Sequence, residues 1–139
     1  MESIKFAWKV EYKGLANGKC IESKTFSLSH DFDGFLRMYP SGDGDKSIGH
    51  VSMFLQIRYC CTRDVLRPNI RVEYTLKAVP CGDAKPRERS ATRVFEKDEG
   101  FGWDKFLATS ELNDNYLDNN NEMTWHLEIT SIQKIYNSN

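Results

Sequence analysis

Apolar and polar residues alternate along four long stretches of this chain, and that alternation constrains the fold more than any other feature. The stretches cover residues 4–12, 51–59, 70–78 and 123–130. A period of two is typical of a β-strand with one buried face. Shorter runs at 20–28 and 35–39 predict two further strands. With so many short strands and almost no helix, we expect an all-β, antiparallel, two-layer β-sandwich.

Residues 99–106 read EGFGWDKF, with glycines beside two large aromatic rings. Glycine weakens both helices and strands, so this stretch is predicted to be a loop. Apolar residues at helical spacing predict one short helix over residues 103–112. The rings of Phe101 and Trp103 either pack beneath a sheet or are presented to a partner.

Phe54 is the odd residue on the otherwise polar face of the strand predicted at 51–59. Exposed rings that lie close together form anchoring pockets. A single exposed aromatic residue is common, so each ring taken alone also fits a structural role at one end of the sandwich. Convergence of Phe54 with Phe101 and Trp103 would favour a binding role.

Length and charge limit the classes of partner. The chain has 139 residues, which predicts a single domain spanning residues 1–139. The formal net charge is −1 and no run of Lys or Arg concentrates positive charge, so neither nucleic acid nor a membrane surface is an expected partner. The N-terminal residues alternate and do not form a signal peptide, and no stretch is apolar enough to span a bilayer.

The cysteines indicate a reducing compartment, so we expect a cytoplasmic or nuclear protein. Cys20, Cys60, Cys61 and Cys81 show neither C-x-x-C spacing nor a disulfide pattern. Adjacent Cys60 and Cys61 on a strand would point to opposite faces, which favours packed or exposed thiols over a metal pair.

Metal and cofactor sites are not expected. The acidic turn at 43–47 fails as a calcium loop, because a register starting at Asp43 puts Ile48 where glycine is required and Phe54 where the bidentate Glu belongs. The three histidines lie far from one another and from any Cys in zinc-site spacing. No signature of a nucleophilic Cys is present, so we predict that the chain is not an enzyme.

Five stretches occur in the order of one known family. They are WKVEY at 8–12, FLRMYPSGDGDK at 35–46, HVSMFLQIR at 50–58, GFGWDKFL at 100–107 and YLDNNNEMTWHLEIT at 116–130. As an ordered set they resemble the MATH (meprin and TRAF homology, or TRAF-C) domain, in the pattern of ubiquitin-ligase adaptors. The resemblance spans nearly the whole chain. It implies an eight-stranded antiparallel β-sandwich with one short helix that binds short extended peptides in a shallow groove.

Matching the motifs residue by residue, the resemblance implies a peptide-binding set. Its members are Phe54, Val72, Arg93, Glu99, Gly100, Phe101, Gly102 and Trp103. The chain departs from the adaptors at three points: Val72 replaces a ring, Arg93 a tyrosine, and Glu99-Gly100 a lysine-aspartate pair. Alternation over residues 70–78 also places Val72 on the core face.

Arg93, with Arg58 or Arg71 nearby, would suit an acidic or phosphorylated peptide residue, because a guanidinium fork matches carboxylate and phosphate oxygens. The same residue also fits an ordinary surface arginine, since exposed arginines are common.

The expected function is recruitment of protein partners through short linear motifs, in a ubiquitin-related or signalling pathway and without covalent chemistry. An alternative is a self-associating structural domain, a TRAF-like homo-oligomer with no peptide ligand of its own. A cysteine enzyme is a third hypothesis, without a motivating substrate. Family members multimerise through an attached coiled coil or BTB domain, and the sequence shows neither.

Overall fold

The long strands assemble into two antiparallel sheets. The computed structural model describes residues 2–59, 68–96 and 98–136. Its strands are β1 Ile4–Glu11, β2 Ile21–Glu22, β3 Phe26–Ser27, β4 Phe32–Tyr39, β5 His50–Tyr59, β6 Asn69–Val79, β7 Arg87–Phe95, β8 Glu99–Ala108 and β9 Glu122–Ile135. One sheet has the order β1-β9-β6-β7, and the other has β2-β4-β5-β8 with β3 paired to β4. The antiparallel sandwich is confirmed. The described strands number nine because β2 and β3 are separate two-residue strands on β4.

The core lies between the sheets and is formed by the alternate residues that the sequence pattern indicated. Along β6, for example, Ile70, Val72, Tyr74, Leu76 and Ala78 are all at most 1% exposed. The same degree of burial is seen for the central inward residues of β5 and β9, which are Val51, Met53, Leu55, Ile57, Met123, Trp125, Leu127 and Ile129. Each such aliphatic or aromatic side chain contributes about 1.5–3 kcal/mol to folding when fully buried. Alternating hydrophobicity therefore selects both the strand conformation and the face that packs.

The predicted loop at 99–106 is wrong, because these residues belong to strand β8. The helix predicted at 103–112 is also displaced: a 3-10 turn covers Thr109–Glu111 and the α-helix, α1, covers only Leu112–Asn115. The misleading helical spacing has a local cause. Val51 pairs with Leu107 while Met53 pairs with Trp103, so β8 is irregular between these pairs. Phe106 and Leu107 are consequently both buried although they are adjacent.

The predicted turn after β4 is confirmed and is held by serine side chains. It contains a 3-10 turn over Asp45–Ser47. The Ser47 hydroxyl donates to Asp43 Oδ1 at 2.6 Å, and the buried Ser52 hydroxyl donates to the carbonyl of Asp104 at 2.6 Å. This second bond ties the turn region to β8. Asp43 thus has a structural role as a hydrogen-bond acceptor within the turn.

Two of the four cysteines are placed. Cys20 is exposed and Cys81 is half-buried, and both are free thiols. The prediction for Cys60 and Cys61 lies outside the described residues. None of the helices described is long and apolar enough to cross a membrane.

Candidate functional site

Two edge strands lie side by side at one border of the sandwich. Among the described strands, β8 pairs only with β5 and β7 pairs only with β6. Residues of β7 contact β8 across the gap between the sheets. We call this gap the edge slot and define it by its inward residues, which are Ala91, Arg93 and Phe95 of β7 and Phe101 and Trp103 of β8. An edge strand presents unpaired N–H and C=O groups to which another chain can add.

The rings of Phe101 and Trp103 are half-buried in the edge slot and anchored to the core. Phe101 lies 5.0 Å from Phe95 between ring centroids, and Trp103 lies 5.9 Å from Tyr74 and 5.8 Å from Phe106. All three contacts are edge-to-face, an arrangement that contributes about 0.5–1.5 kcal/mol per pair beyond area burial. The rings therefore pack beneath the sheet and still keep part of their surface at its edge.

Gly100 and Gly102 occupy the opposite, outer face of β8, and close approach of β5 explains the glycine at 102. A Cβ there would lie 2.0 Å from the carbonyl oxygen of Met53 and 2.7 Å from the Cα of Phe54. At Gly100 a Cβ would meet only the end of the Gln56 side chain, at 1.9 Å. The outer face of β8 consequently carries no side chain of its own at these two positions, and the Gln56 side chain lies over Gly100.

Phe54 lies on that outer face, and this separates it from the other two rings. Phe54 pairs with Gly102, and directly paired residues share a face of the sheet. Phe101 and Trp103 flank Gly102 and so point to the other face. The Phe54 ring packs edge-to-face against Tyr39 at 5.8 Å. The three rings therefore do not converge in one pocket, as the sequence-based hypothesis required, but lie on the two faces of one sheet.

Tyr74 links the two sheets at the edge slot. Its hydroxyl donates a hydrogen bond of 3.0 Å to the backbone carbonyl of Phe101. Burial raises the pKa of Tyr74 to about 12, and the positive charge of Arg93 acts in the opposite direction. The sequence indicated that Tyr74 faces the core but gave no signal of its hydroxyl contact.

Three arginines occupy inward positions of β7, and their contacts differ. Arg87 pairs with Glu111 at 3.3 Å. Arg89 donates to the carbonyls of Lys105 and Phe106, at 3.2 and 3.1 Å, and stacks on the Phe106 ring. Arg93 is exposed and reaches the carbonyl of its neighbour Thr92 at 3.4 Å. Sequence analysis singled out Arg93 and missed Arg89, although both alternate in step with buried Phe95 and so lie on the same face of β7.

The remaining predicted residues are placed as follows. Val72 is fully buried opposite Arg93, so it supports the edge slot from below and has no surface for a ligand. Glu99 is half-buried at the start of β8, opposite Ile57. Arg71 pairs with Val94 on the outer face of the first sheet, and Arg58 stacks on Phe35 on the outer face of the second. Neither arginine joins Arg93, which corrects that part of the hypothesis.

A separate hollow lies on the outer face of the first sheet. Its volume is 360 Å³, and its outward lining includes Lys5, Lys77, Glu88, His126 and Glu128. These residues come from the polar half of the alternating pattern, for which the sequence predicted no site. Within the described ranges no group of three or more His, Cys, Asp or Glu is arranged to hold a metal ion.

Comparisons with known proteins agree with the fold described above. A family model described as the MATH domain matches residues 5–129. RING finger protein DG17 of Dictyostelium discoideum is 28% identical over 130 residues, which cover 89% of this chain and 26% of that protein. The chain thus spans about a quarter of that curated relative's length. Among solved structures, Notothenia coriiceps TRAF5 matches with a TM-score of 0.63 at 14% identity, covering 91% of this chain and 73% of that chain, which shows a shared fold.

Proposed function

Because this chain belongs to the MATH domain family, whose members are protein-interaction modules, we propose that it binds a short extended peptide along the free edge of β8. The observation that carries this proposal is the pairing of β8 with β5 alone among the described strands, beside two anchored rings. Addition of a peptide strand to an exposed sheet edge is a recurrent recognition mode. Main-chain hydrogen bonds supply affinity, and pockets for alternate side chains supply specificity.

The two faces of β8 offer different surroundings to such a peptide. Side chains of an added strand alternate between faces, and the strand lies about 4.8 Å from β8. On the inner side they meet the half-buried rings of Phe101 and Trp103. On the outer side they lie beside Gly100 and Gly102, which carry no side chains, and the Gln56 and Phe54 side chains are one strand away on β5. All three aromatic residues can therefore contact one ligand without forming one pocket.

Arg89 limits how far the ligand can extend. Its guanidinium covers the carbonyls of two successive residues, Lys105 and Phe106, so the edge left for pairing runs from Glu99 to Trp103. Within that stretch the Phe101 carbonyl already accepts from the Tyr74 hydroxyl and keeps its second lone pair for a ligand. A strand of that length buries less than about 1,200 Å² in total, which is typical of weak and transient contacts. We expect a dissociation constant on the order of micromolar, with avidity gained when the protein is multimeric.

The proposed role needs no covalent step and no cofactor. The Dictyostelium relative is named a RING finger protein. Together with family membership, this supports recruitment of partners in a ubiquitin-related or signalling pathway as the cellular role that we propose. The proposed location, cytoplasm or nucleus, rests on the cysteine pattern of the sequence.

Selection of peptides by the purified domain tests the proposal. We would pan a displayed library of random twelve-residue peptides (about that length spans the edge with flanks) and measure the affinity of a synthesised consensus peptide. The variant is Trp103→Ala, and the matched control is Trp8→Ala, since both tryptophans are half-buried against the core. Circular dichroism checks that each variant folds. Loss of binding in Trp103→Ala alone supports the edge slot. An empty selection, or equal loss in both folded variants, contradicts it.

Self-association is the rival outcome. Sedimentation of the isolated domain that shows a stable trimer, together with protection of Trp103 from fluorescence quenchers only at high protein concentration, would favour a structural role in place of peptide binding.

A further inference from the structure

Two of the three inward arginines of β7 have hydrogen-bond acceptors on other elements of the fold. Glu111 pairs with Arg87, and the carbonyls of residues 105 and 106 accept from Arg89. At Arg93 no carboxylate lies within ion-pair distance in the part of the chain that the structure describes. Its one hydrogen bond is a 3.4 Å contact with the carbonyl of the preceding residue. This leaves most donors of a guanidinium, which has five, directed elsewhere.

The position of Arg93 links it to the edge that a ligand would use. It stands opposite Val72 on the slot side of β7, two pairs along the ladder from Tyr74. The charge of Arg93 affects the pKa of Tyr74, whose hydroxyl binds the carbonyl of Phe101. Arg93 thus belongs to the inward side of β7, the edge strand that contacts β8 across the edge slot. A strand paired with Phe101 and Trp103 would carry its inward side chains past it.

The charged groups around Arg93 leave its positive charge without an ion-pair partner. Glu99 faces the same slot at the start of β8, yet among the described residues it forms no ion pair with Arg93. Arg89 is held by carbonyls at the other end of the slot, while Arg71 lies on the outer face, where it donates to Gln133. A ligand that covers Arg93 without supplying an acceptor would leave a charge partly desolvated, which is unfavourable.

We propose that the peptide ligand carries an Asp or Glu whose carboxylate binds Arg93 at the edge slot. This inference rests on the proposed function. One unpaired guanidinium matches one carboxylate in a bidentate pair, whereas phosphate recognition commonly uses a cluster of arginines. The outward orientation of Arg58 and Arg71 removes them from such a cluster.

Affinity measurements on paired variants test this assignment. The probe is the consensus peptide from the selection, compared with versions in which each acidic residue is replaced by Gln or by phosphoserine. We expect one Glu→Gln change to weaken binding about tenfold, in the range for hydrogen bonds to charged groups. Arg93→Ala should cause the same loss, and combining the two changes should cause no further loss. Arg71→Ala is the matched control, and Glu99→Gln should strengthen binding.

The outcomes separate the two proposals. If the domain selects peptides but Arg93→Ala and the Gln peptides bind as well as the originals, acid recognition is wrong while edge binding stands. Tighter binding of the phosphoserine peptide would overturn the carboxylate assignment. If no peptide is selected, both proposals fail together.

Discussion

The hydroxyl of Tyr74 donates a 3.0 Å hydrogen bond to the backbone carbonyl of Phe101, and this bond joins the two sheets at the border where both end. Tyr74 is 1% exposed on β6, in the middle of the first sheet's inner face. Its ring also contacts Phe95 and Trp103. One side chain thus fixes both the backbone and a ring of the candidate binding edge.

Replacing Tyr74 with Phe should lower the free energy of unfolding by about 1 kcal/mol, the net contribution of a typical hydrogen bond. The packed ring is kept, so the fold should persist. Urea unfolding measures the change. Tyr116→Phe is the matched control, because its hydroxyl donates to the carbonyl of Lys85 at 3.1 Å, away from β8. Both variants should lose similar stability, and only Tyr74→Phe should weaken peptide binding. Weaker binding in Tyr116→Phe as well would contradict a local role for Tyr74.

Tyr74 should ionise at higher pH in the folded protein than a tyrosine of an unfolded chain. Burial raises the pKa of Tyr74 to about 12 in the folded protein, against about 10 in an unfolded chain. The folded state thus favours the neutral form. Its contribution to stability is complete below about pH 10 and is lost as pH rises through about 12. The difference in tyrosinate absorbance between wild type and Tyr74→Phe measures this titration, and a step near pH 10 would contradict burial of the hydroxyl.

The two glycines of β8 should differ in their tolerance of alanine. Gly102→Ala places a methyl group against the backbone of Met53 and Phe54, so we expect a loss of about 1–3 kcal/mol, as in overpacked cores. Gly100→Ala meets only the Gln56 side chain, which can rotate away, so its effect should be under about 1 kcal/mol. Urea unfolding compares them. Adding Gln56→Ala should restore the stability of the Gly100→Ala variant but not that of the Gly102→Ala variant. An equal loss of stability from alanine at both positions would exclude this explanation.

Stability should fall in acid through the pair formed by Asp31 and Lys134. Lys134 Nζ donates to Asp31 Oδ2 at 2.6 Å, and this hydrogen bond lowers the pKa of the Asp31 carboxyl. The pair contributes above the unfolded pKa of about 3.9, and the contribution is lost as pH falls through the lowered folded value. Asp31→Asn should therefore be less stable than wild type at neutral pH, with a difference that shrinks in acid. Asp45→Asn, at an exposed turn position, is the control.

Much of the fold follows from alternation because side-chain parity is a local property of a strand. The residues of β6 and β9 could be assigned to faces one by one in this way. The error at 99–106 has a non-local cause: glycine at 102 is required by the backbone of β5, which sequence spacing does not indicate.

The sequence predicted which residues belong to the candidate site better than it predicted how they are arranged in space. Family resemblance pointed to Phe54 and to residues 99–103, but the face that each ring occupies depends on the register between β5 and β8. The bond from Tyr74 and the contacts of Arg89 arise where two sheets meet, so neither leaves a pattern in the chain.

The hydrogen bonds from Arg89 to the carbonyls of residues 105 and 106 also affect how readily this domain could aggregate at high protein concentration. Unpaired edge strands of two molecules can pair and extend into a continuous sheet, which is the first step toward fibrils. A guanidinium laid across part of that edge shortens the stretch on which a second copy could grow. Arg89, which limits the length of β8 available to a ligand, thereby also opposes edge-to-edge polymerisation.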